Sequence, residues 1–309
     1  MDINGLHIRS EMPGDEGEID NVNCLAFGQM DEAHLVRLIR LYYPEFDHRY
    51  SVTAWYKDRL VGHALFSPAR IRLMGKTISA LAVAPVAVIP ELQGRGIGGH
   101  LLSYGHNQGK RDGFALTFLR GHPTYYRRFG YQPCFGSCGI HIDPEKLPEP
   151  TQCLRPYPVR PADIPWLMEQ FAAEWCDVDF CWQRGTSLRD WSMLGVNAII
   201  WWTEFGRRAA YTLGWPGRRG WQMVLADEPL LARSALAMIK PKLLRQHPAG
   251  WLARNVLSPE WSKAREMRIE ESAMACELKL GVLKPYRKAV ESGERLPGCC
   301  SWPLPFMTC

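Results

Sequence analysis

The chain has 309 residues, 46% hydrophobic and 22% charged, and its 37 Lys and Arg against 32 Asp and Glu leave a formal charge of +5. This composition supplies apolar material for one or two cores and excludes a disordered or fibrous chain. The basic residues are scattered without long blocks, which argues against a nucleic-acid partner. No run approaches the roughly 20 apolar residues of a membrane span, and the first 20 residues lack the basic-then-apolar order of a signal peptide, so a cytoplasmic protein without a membrane partner is expected. The ten cysteines are too dispersed for the disulfide frame of a small secreted domain and read as reduced thiols. Neither Cys134 with Cys138 nor the vicinal Cys299 and Cys300 has the matching second pair that a zinc site needs, so no metal is expected.

Along the chain, residues 31–43 place Leu35, Leu38, Ile39 and Tyr42 at i, i+3, i+4, i+7 spacing and predict an amphipathic helix. Strand-like runs at 51–56 and 60–66 flank a turn at Lys57–Arg59, and runs at 69–74 and from Thr77 flank Gly75–Lys76, giving two hairpins in succession. An apolar run at 78–89 ends in a glycine-rich turn, followed by a helix near 100–113 and a buried strand at 114–119. Residues 143–163 hold six prolines and mark the boundary between two domains, since proline denies a helix interior and a central strand. Eleven of the twelve tryptophans lie beyond it. There the order repeats more weakly: a helix after Pro161, strands at 197–204 and 208–214 around Phe205–Arg207, a strand at 221–226 and a long helix over 230–246. The predicted class is α/β with mixed sheets, and the predicted domains are 1–145, a proline-rich linker at 146–160, and 161–309.

The glycine turn reads Pro90-Glu91-Leu92-Gln93-Gly94-Arg95-Gly96-Ile97-Gly98-Gly99. Glycines between a strand and a helix start bring main-chain N–H groups close to an anion, so a phosphate is the expected occupant. No Gly-Lys-Ser/Thr follows, which excludes a P-loop. Gly94, Gly96 and Gly99 match a dinucleotide fingerprint, but the turn follows an antiparallel meander, and the next strand ends in Arg120 where an NAD site offers an acid; an NADP site and a plain structural turn stay open as alternatives.

These residues resemble the GNAT superfamily of acyl-CoA-dependent N-acetyltransferases. Val88-Ile89-Pro90 before Gln93-Gly94-Arg95-Gly96-Ile97-Gly98 is similar to its pyrophosphate loop, and Pro123-Thr124-Tyr125-Tyr126-Arg127-Arg128-Phe129-Gly130-Tyr131 is similar to its second element, a tyrosine four residues before a Gly-aromatic pair. The form of the motif from His122 to Tyr131, followed by a second GNAT-like unit and a C-terminus returning towards the first, looks most like the Eis-type branch, whose members acetylate amines of aminoglycosides and related molecules; that branch usually carries a third, sterol-carrier-like domain, for which 309 residues are too few. The resemblance covers residues 1 to about 140. In the second half the corresponding turn reads Asp227-Glu228-Pro229-Leu230, without glycine and with two acids that repel a diphosphate, so that domain is a degenerate copy without a CoA site of its own.

The resemblance implies acetyl-CoA as cosubstrate, held by Val86, Ala87, Val88, Gln93, Gly94, Arg95, Gly96, Ile97, Gly98 and Gly99, with the Val88 N–H aimed at the thioester oxygen. It implies Tyr126 as the acid that protonates the leaving thiolate, and the terminal carboxylate of Cys309, at the end of an apolar, proline-stiffened tail, as the base for the incoming amine. Glu174, Trp175, Asp177 and Asp179 interleave acids with aromatics, a composition suited to a cationic acceptor, and equally to a half-buried core segment. The expected reaction is acetyl transfer to a primary amine of a small molecule. Acetylation of protein lysines or N-termini, and a non-catalytic acyl-CoA sensor, are the alternatives. The oligomeric state is not legible.

Overall fold

The computed structural model describes residues 5–215 and 220–307. Strand β1 (Leu6–Ser10) and helices α1 (Glu16–Phe27) and α2 (Asp31–Tyr42) precede a meander of β2 (Ser51–Tyr56), β3 (Arg59–Leu73) and β4 (Lys76–Val88). Then follow α3 (Ile97–Arg111), β5 (Leu116–Arg120), the short α4 (Pro123–Tyr126) and β6 (Gln132–Pro133). The chain continues through β7 (Ile140–Ile142), β8 (Leu154–Pro158), α5 (Ile164–Glu174), β9 (Asn197–Thr203), β10 (Arg208–Gly214), β11 (Gly220–Leu225), α6 (Pro229–Ile239), β12 (Leu243–Leu244), α7 (Trp251–Asn255), β13 (Ser262–Ala264), β14 (Ala273–Glu277) and α8 (Lys284–Glu291). No helix among the described residues is long and apolar enough to cross a membrane.

Two seven-stranded mixed sheets result, ordered β1-β2-β3-β4-β5-β14-β6 and β13-β7-β12-β11-β10-β9-β8. Each has an antiparallel meander of four strands, a helix, and a fifth strand parallel to the fourth: β4 with β5 around α3, and β11 with β12 around α6. The two halves therefore share one topology. The long helix expected over 230–246 ends at Lys240, whose φ is +42°, because Pro241 has no N–H to continue it. Leu243 and Leu244 become β12 instead, and that break makes the second sheet a copy of the first. In the proline-rich segment, β8 lies at the sheet edge, where Pro156 and Pro158 deprive no outer neighbour of a donor.

The chain divides into two compact units, the first running to Phe135 and taking Ile269–Arg295 and the residues from Pro305 on, the second comprising Gly136–Arg268 and Leu296–Leu304. The single boundary expected at 146–160 is thus replaced by several crossings. The physical reason is sheet completion. β14 lies antiparallel to β5 from Ala273↔Arg120 to Glu277↔Leu116 and carries the two-residue β6 on its other edge, so without it β5 would present an unpaired buried edge. β7 fills the equivalent place between β12 and β13.

In the first unit, α3 lies on the meander with Ile97, Leu101 and Leu102 buried, and Gly62 and Gly105 admit its close approach. In the second, Leu231, Ala232, Ala235 and Leu236 of α6 pack with Val224, Leu244 and Leu252. α1 and α2 cover the first sheet through Ile19, Val22, Ala33, Leu35, Val36 and Ile39, while Leu38 and Tyr42 of the expected stripe are only half-buried.

Candidate functional site

The site is built where β4 parts from β5. Their parallel pairing covers only Ala80↔Leu116 to Ala82↔Phe118, yet β4 stays bonded to β3 as far as Val88↔Gly62. The register slips by one residue between Phe66↔Val83 and Ala64↔Val86, a bulge that turns β4 away from β5, and Pro85 within it has no N–H to offer across the gap. The Ile89 N–H donates to Val61 O at 3.0 Å. Strand alternation therefore turns the N–H groups of Val86 and Val88 towards the opened flank, and that of Ala87 towards β3. The Gln93 side-chain amide donates to Val88 O at 3.0 Å, holding the following turn against that flank.

The turn then enters α3 through Gly94 and Gly96, at φ +75° and +86°, and a Cβ on either would meet nothing within 4 Å. The left-handed backbone requires glycine there, and the space beside it is open. Arg95 stands between them. Ile97 is buried and anchors the helix, so it offers only main chain outward. The first N–H groups of a helix have no intrahelical acceptor and carry the positive end of its dipole, which makes the head of this four-turn helix suited to a phosphate.

α4 forms the opposite wall. Pro123 starts it in the first helical position, and Gly130, at φ +84°, ends the turn that follows. Tyr125 points its hydroxyl onto Gly98, so closely that a Cβ there would collide with the oxygen and stand 3.4 Å from Cζ; the same Cβ would lie 3.9 Å from Val88 Cγ2. Phe129 closes on Gly99, where a Cβ would be 2.9 Å from Cε1. The glycines of the loop thus serve two purposes: Gly94 and Gly96 for backbone conformation, Gly98 and Gly99 to admit the aromatics of α4.

Tyr126 lies deeper. Its ring packs edge-on to Tyr125 and Tyr131, at centroid distances of 5.0 and 5.6 Å, and a Cβ on Gly121 would collide with it. Burial raises its phenol pKa above the ordinary value of 10. Among the described residues no group hydrogen-bonds its hydroxyl. Tyr131 is held from behind by Thr117 Oγ1 at 2.8 Å and His106 Nε2 at 2.9 Å, with burial pushing His106 down to about 4, so that it stays neutral.

The segment that supplies β14 also reaches this wall. Glu270 pairs with Arg120 at the end of β5 and Glu271 with Arg127. These contacts span about 150 residues of sequence, and nothing local announces them; the short apolar run Ala273–Cys276 was the available signal.

The other expected residues lie elsewhere. Glu174, Trp175 and Asp179 are each 2% exposed, inside the second unit. Glu174 Oε2 accepts from Leu252 N at 2.7 Å, its Oε1 has no partner, and burial raises its carboxyl to about 8. Asp177 pairs with Arg254 at 2.7 Å. Glu174, Trp175 and Asp179 thus form part of a core, while Asp177 stays at the surface in its ion pair. Asp227 and Glu228 both bind Arg207, at 3.0 and 2.6 Å, and Pro229 removes an N–H at the head of α6. Cys309 lies outside the described residues. In the tail before it, Leu304 and Phe306 are buried, and Phe306 stands edge-on to Tyr43 at 5.5 Å.

Residues 7–134 match the family model described as an acetyltransferase (GNAT) domain. The chain is 35% identical over 162 residues to the uncharacterized N-acetyltransferase YjhQ of Escherichia coli (strain K12), covering 52% of this chain and 81% of that protein. Among solved structures, a probable N-acyltransferase from Enterococcus faecalis V583 matches at a TM-score of 0.68 and 14% identity, covering 90% of this chain and 73% of that one. Eis1 from Mycobacterium abscessus matches at 0.62 and 17%, covering 88% and 73%. At these identities the structural likeness is one of fold: tandem units, each a mixed sheet.

Proposed function

Since this chain belongs to the GNAT family of acyl-CoA-dependent N-acyltransferases, we propose that it moves an acetyl group from acetyl-CoA to a primary amine of a small molecule, by direct attack within a ternary complex. The observation that carries the reading is the conjunction at one place of an open left-handed glycine turn, the unpaired flank of β4 and the unbonded hydroxyl of Tyr126.

In this reading the diphosphate of acetyl-CoA rests on the N–H groups from Gly94 to Gly99, with Gln93 holding the turn and Arg95 adding charge. The pantetheine arm runs along Val86, Ala87 and Val88, and the Val88 N–H donates to the thioester oxygen as it becomes an oxyanion. The amine attacks in its neutral form and the adduct nitrogen gives up its extra proton to solvent; the carbon–sulfur bond breaks as Tyr126 gives its proton to the departing thiolate, and solvent then returns a proton to Tyr126. Its raised phenol pKa keeps that proton in place throughout the neutral range. The second unit takes no CoA in this reading.

A thiol-release assay with acetyl-CoA and a panel of polyamines, aminosugars and lysine-bearing peptides tests this. Release with one or more small amines is the expected result. Release with peptides alone would replace the acceptor class, and acetyl-CoA binding without turnover on any amine would make the protein a sensor.

A further inference from the structure

Three arginines ring the turn that carries Tyr126, and they are not equivalent. Arg120 is neutralised by Glu270 and Arg127 by Glu271. Among the described residues Arg128 forms no ion pair. Its guanidinium lies on an aromatic face instead, 4.8 Å from the centroid of Tyr125 and 5.7 Å from that of Phe129, with Nε donating to Tyr125 O at 3.3 Å. Stacking fixes the plane of the guanidinium, and its two NH2 groups have no hydrogen-bond partner among the described residues.

The ring under Arg128 is the one whose hydroxyl covers Gly98 at the head of α3. Tyr125 therefore links two donors, its own O–H over Gly98 and the cation stacked on its ring. Burial raises the Tyr125 phenol, so it remains a donor and never an anion in the neutral range. Phe129 holds the arrangement from below, with its ring 5.2 Å from Tyr125 and its edge on Gly99.

Resting on the acetyl-CoA reading above, we infer that Tyr125 and Arg128 form a second, side-chain half of the phosphate cradle, facing the main-chain half supplied by the glycine turn. The ligand class is the phosphate portion of a CoA thioester. The uncommitted charge of Arg128 matches the phosphates, and the Tyr125 hydroxyl closes over the turn where the diphosphate meets the pantetheine. A guanidinium gives a planar, bidentate match to phosphate oxygens that a lysine does not reproduce.

Calorimetric titration of the full chain with CoA, 3′-dephospho-CoA and pantetheine tests this on the wild type and on Arg128→Ala, Arg128→Lys and Tyr125→Phe, with thermal unfolding to verify the fold. Arg128→Ala should bind CoA about tenfold or more weakly, Arg128→Lys in between, and Tyr125→Phe several-fold more weakly, while pantetheine affinity is unchanged. A loss that persists with 3′-dephospho-CoA assigns Arg128 to the diphosphate, and one that vanishes assigns it to the 3′-phosphate. Wild-type affinity for CoA in both Arg128→Ala and Tyr125→Phe overturns the inference while leaving acetyl-CoA binding intact. A wild-type chain that binds no CoA overturns the functional reading and this inference with it.

Discussion

The hydroxyl of Tyr125 occupies the space that a side chain on Gly98 would need. The family-type loop and the tyrosine-bearing helix are therefore one packed unit, and the last glycines of the turn answer to aromatics nearly 30 residues downstream. Gly98→Ala should destabilise the protein by about 1–3 kcal/mol, the range for overpacking a tight contact. In a Tyr125→Phe background most of that cost should disappear, because the nearest remaining ring atom stands 3.4 Å away, an ordinary contact. A double-mutant cycle by denaturant unfolding measures it, and additive effects would separate the two residues.

Tyr126 keeps its hydroxyl without a hydrogen-bond partner among the described residues, and its ring is held edge-on between Tyr125 and Tyr131. Tyr126→Phe keeps the packing and removes the proton, so turnover should fall by about 10²-fold or more with acetyl-CoA affinity little changed. Undiminished turnover in that variant would leave Tyr126 with packing alone.

Two buried groups in different units set opposite limits on stability. His63 accepts from Asn23 Nδ2 at its Nδ1, 3.1 Å away, and meets Ser51 Oγ with its Nε2 at 2.9 Å, a set made by the neutral ring; burial and then Arg40 lower it to about 3. The unfolded chain titrates near the ordinary 6.5, so it takes up the proton first and stability is lost as pH falls from about 6.5 towards 3. At pH 5 the loss is on the order of 2 kcal/mol. Glu174 acts in reverse. Its carboxyl sits near 8 in the fold against 4.5 for the free group, so the unfolded chain loses its proton first and stability declines as pH rises between those values. Glu174→Gln should flatten the decline between pH 5 and 8, and His63→Gln the one below 6. Unfolding midpoints across pH 4–9 read both, and unchanged slopes would remove these groups as the cause.

A chain ending at residue 145 contains every motif of the CoA site but lacks β14. With one edge of β5 opened and β6 left unpaired, it should show no cooperative unfolding transition and should aggregate. A folded, monomeric 1–145 fragment would show that β14 is dispensable. Within the full chain, Ala275→Asp is a milder version, since Ala275 is fully buried between Phe118 and Gln132 and a charge there has no partner.

Much of this was legible locally. The turn at Lys57–Asp58, with both residues at positive φ, and the Gly75 turn bracket β3 as their composition implies, although β3 runs unbroken through Pro68 and joins two runs that read as separate. The glycine turn and the Tyr126 helix stand as their residues indicate. Glu174, Trp175 and Asp179 stayed ambiguous because residue type alone does not distinguish acids that line a pocket from acids folded inward to hold a neighbouring helix start, as Glu174 does for Leu252 N.

What the sequence by itself determined is carried by short-range chemistry: strand alternation, turn residues, and glycines where the backbone must be left-handed. These depend on neighbours a few residues apart, and propensity and pattern record them. Only the tertiary structure decided that β14 completes the first sheet, that Glu270 and Glu271 reach Arg120 and Arg127, and that Tyr125 rests on Gly98. Those contacts join residues from nearly 30 to 150 positions apart, and they follow from which edges and faces remain unsatisfied once the local elements have formed, a property of the assembled sheets that no single segment contains.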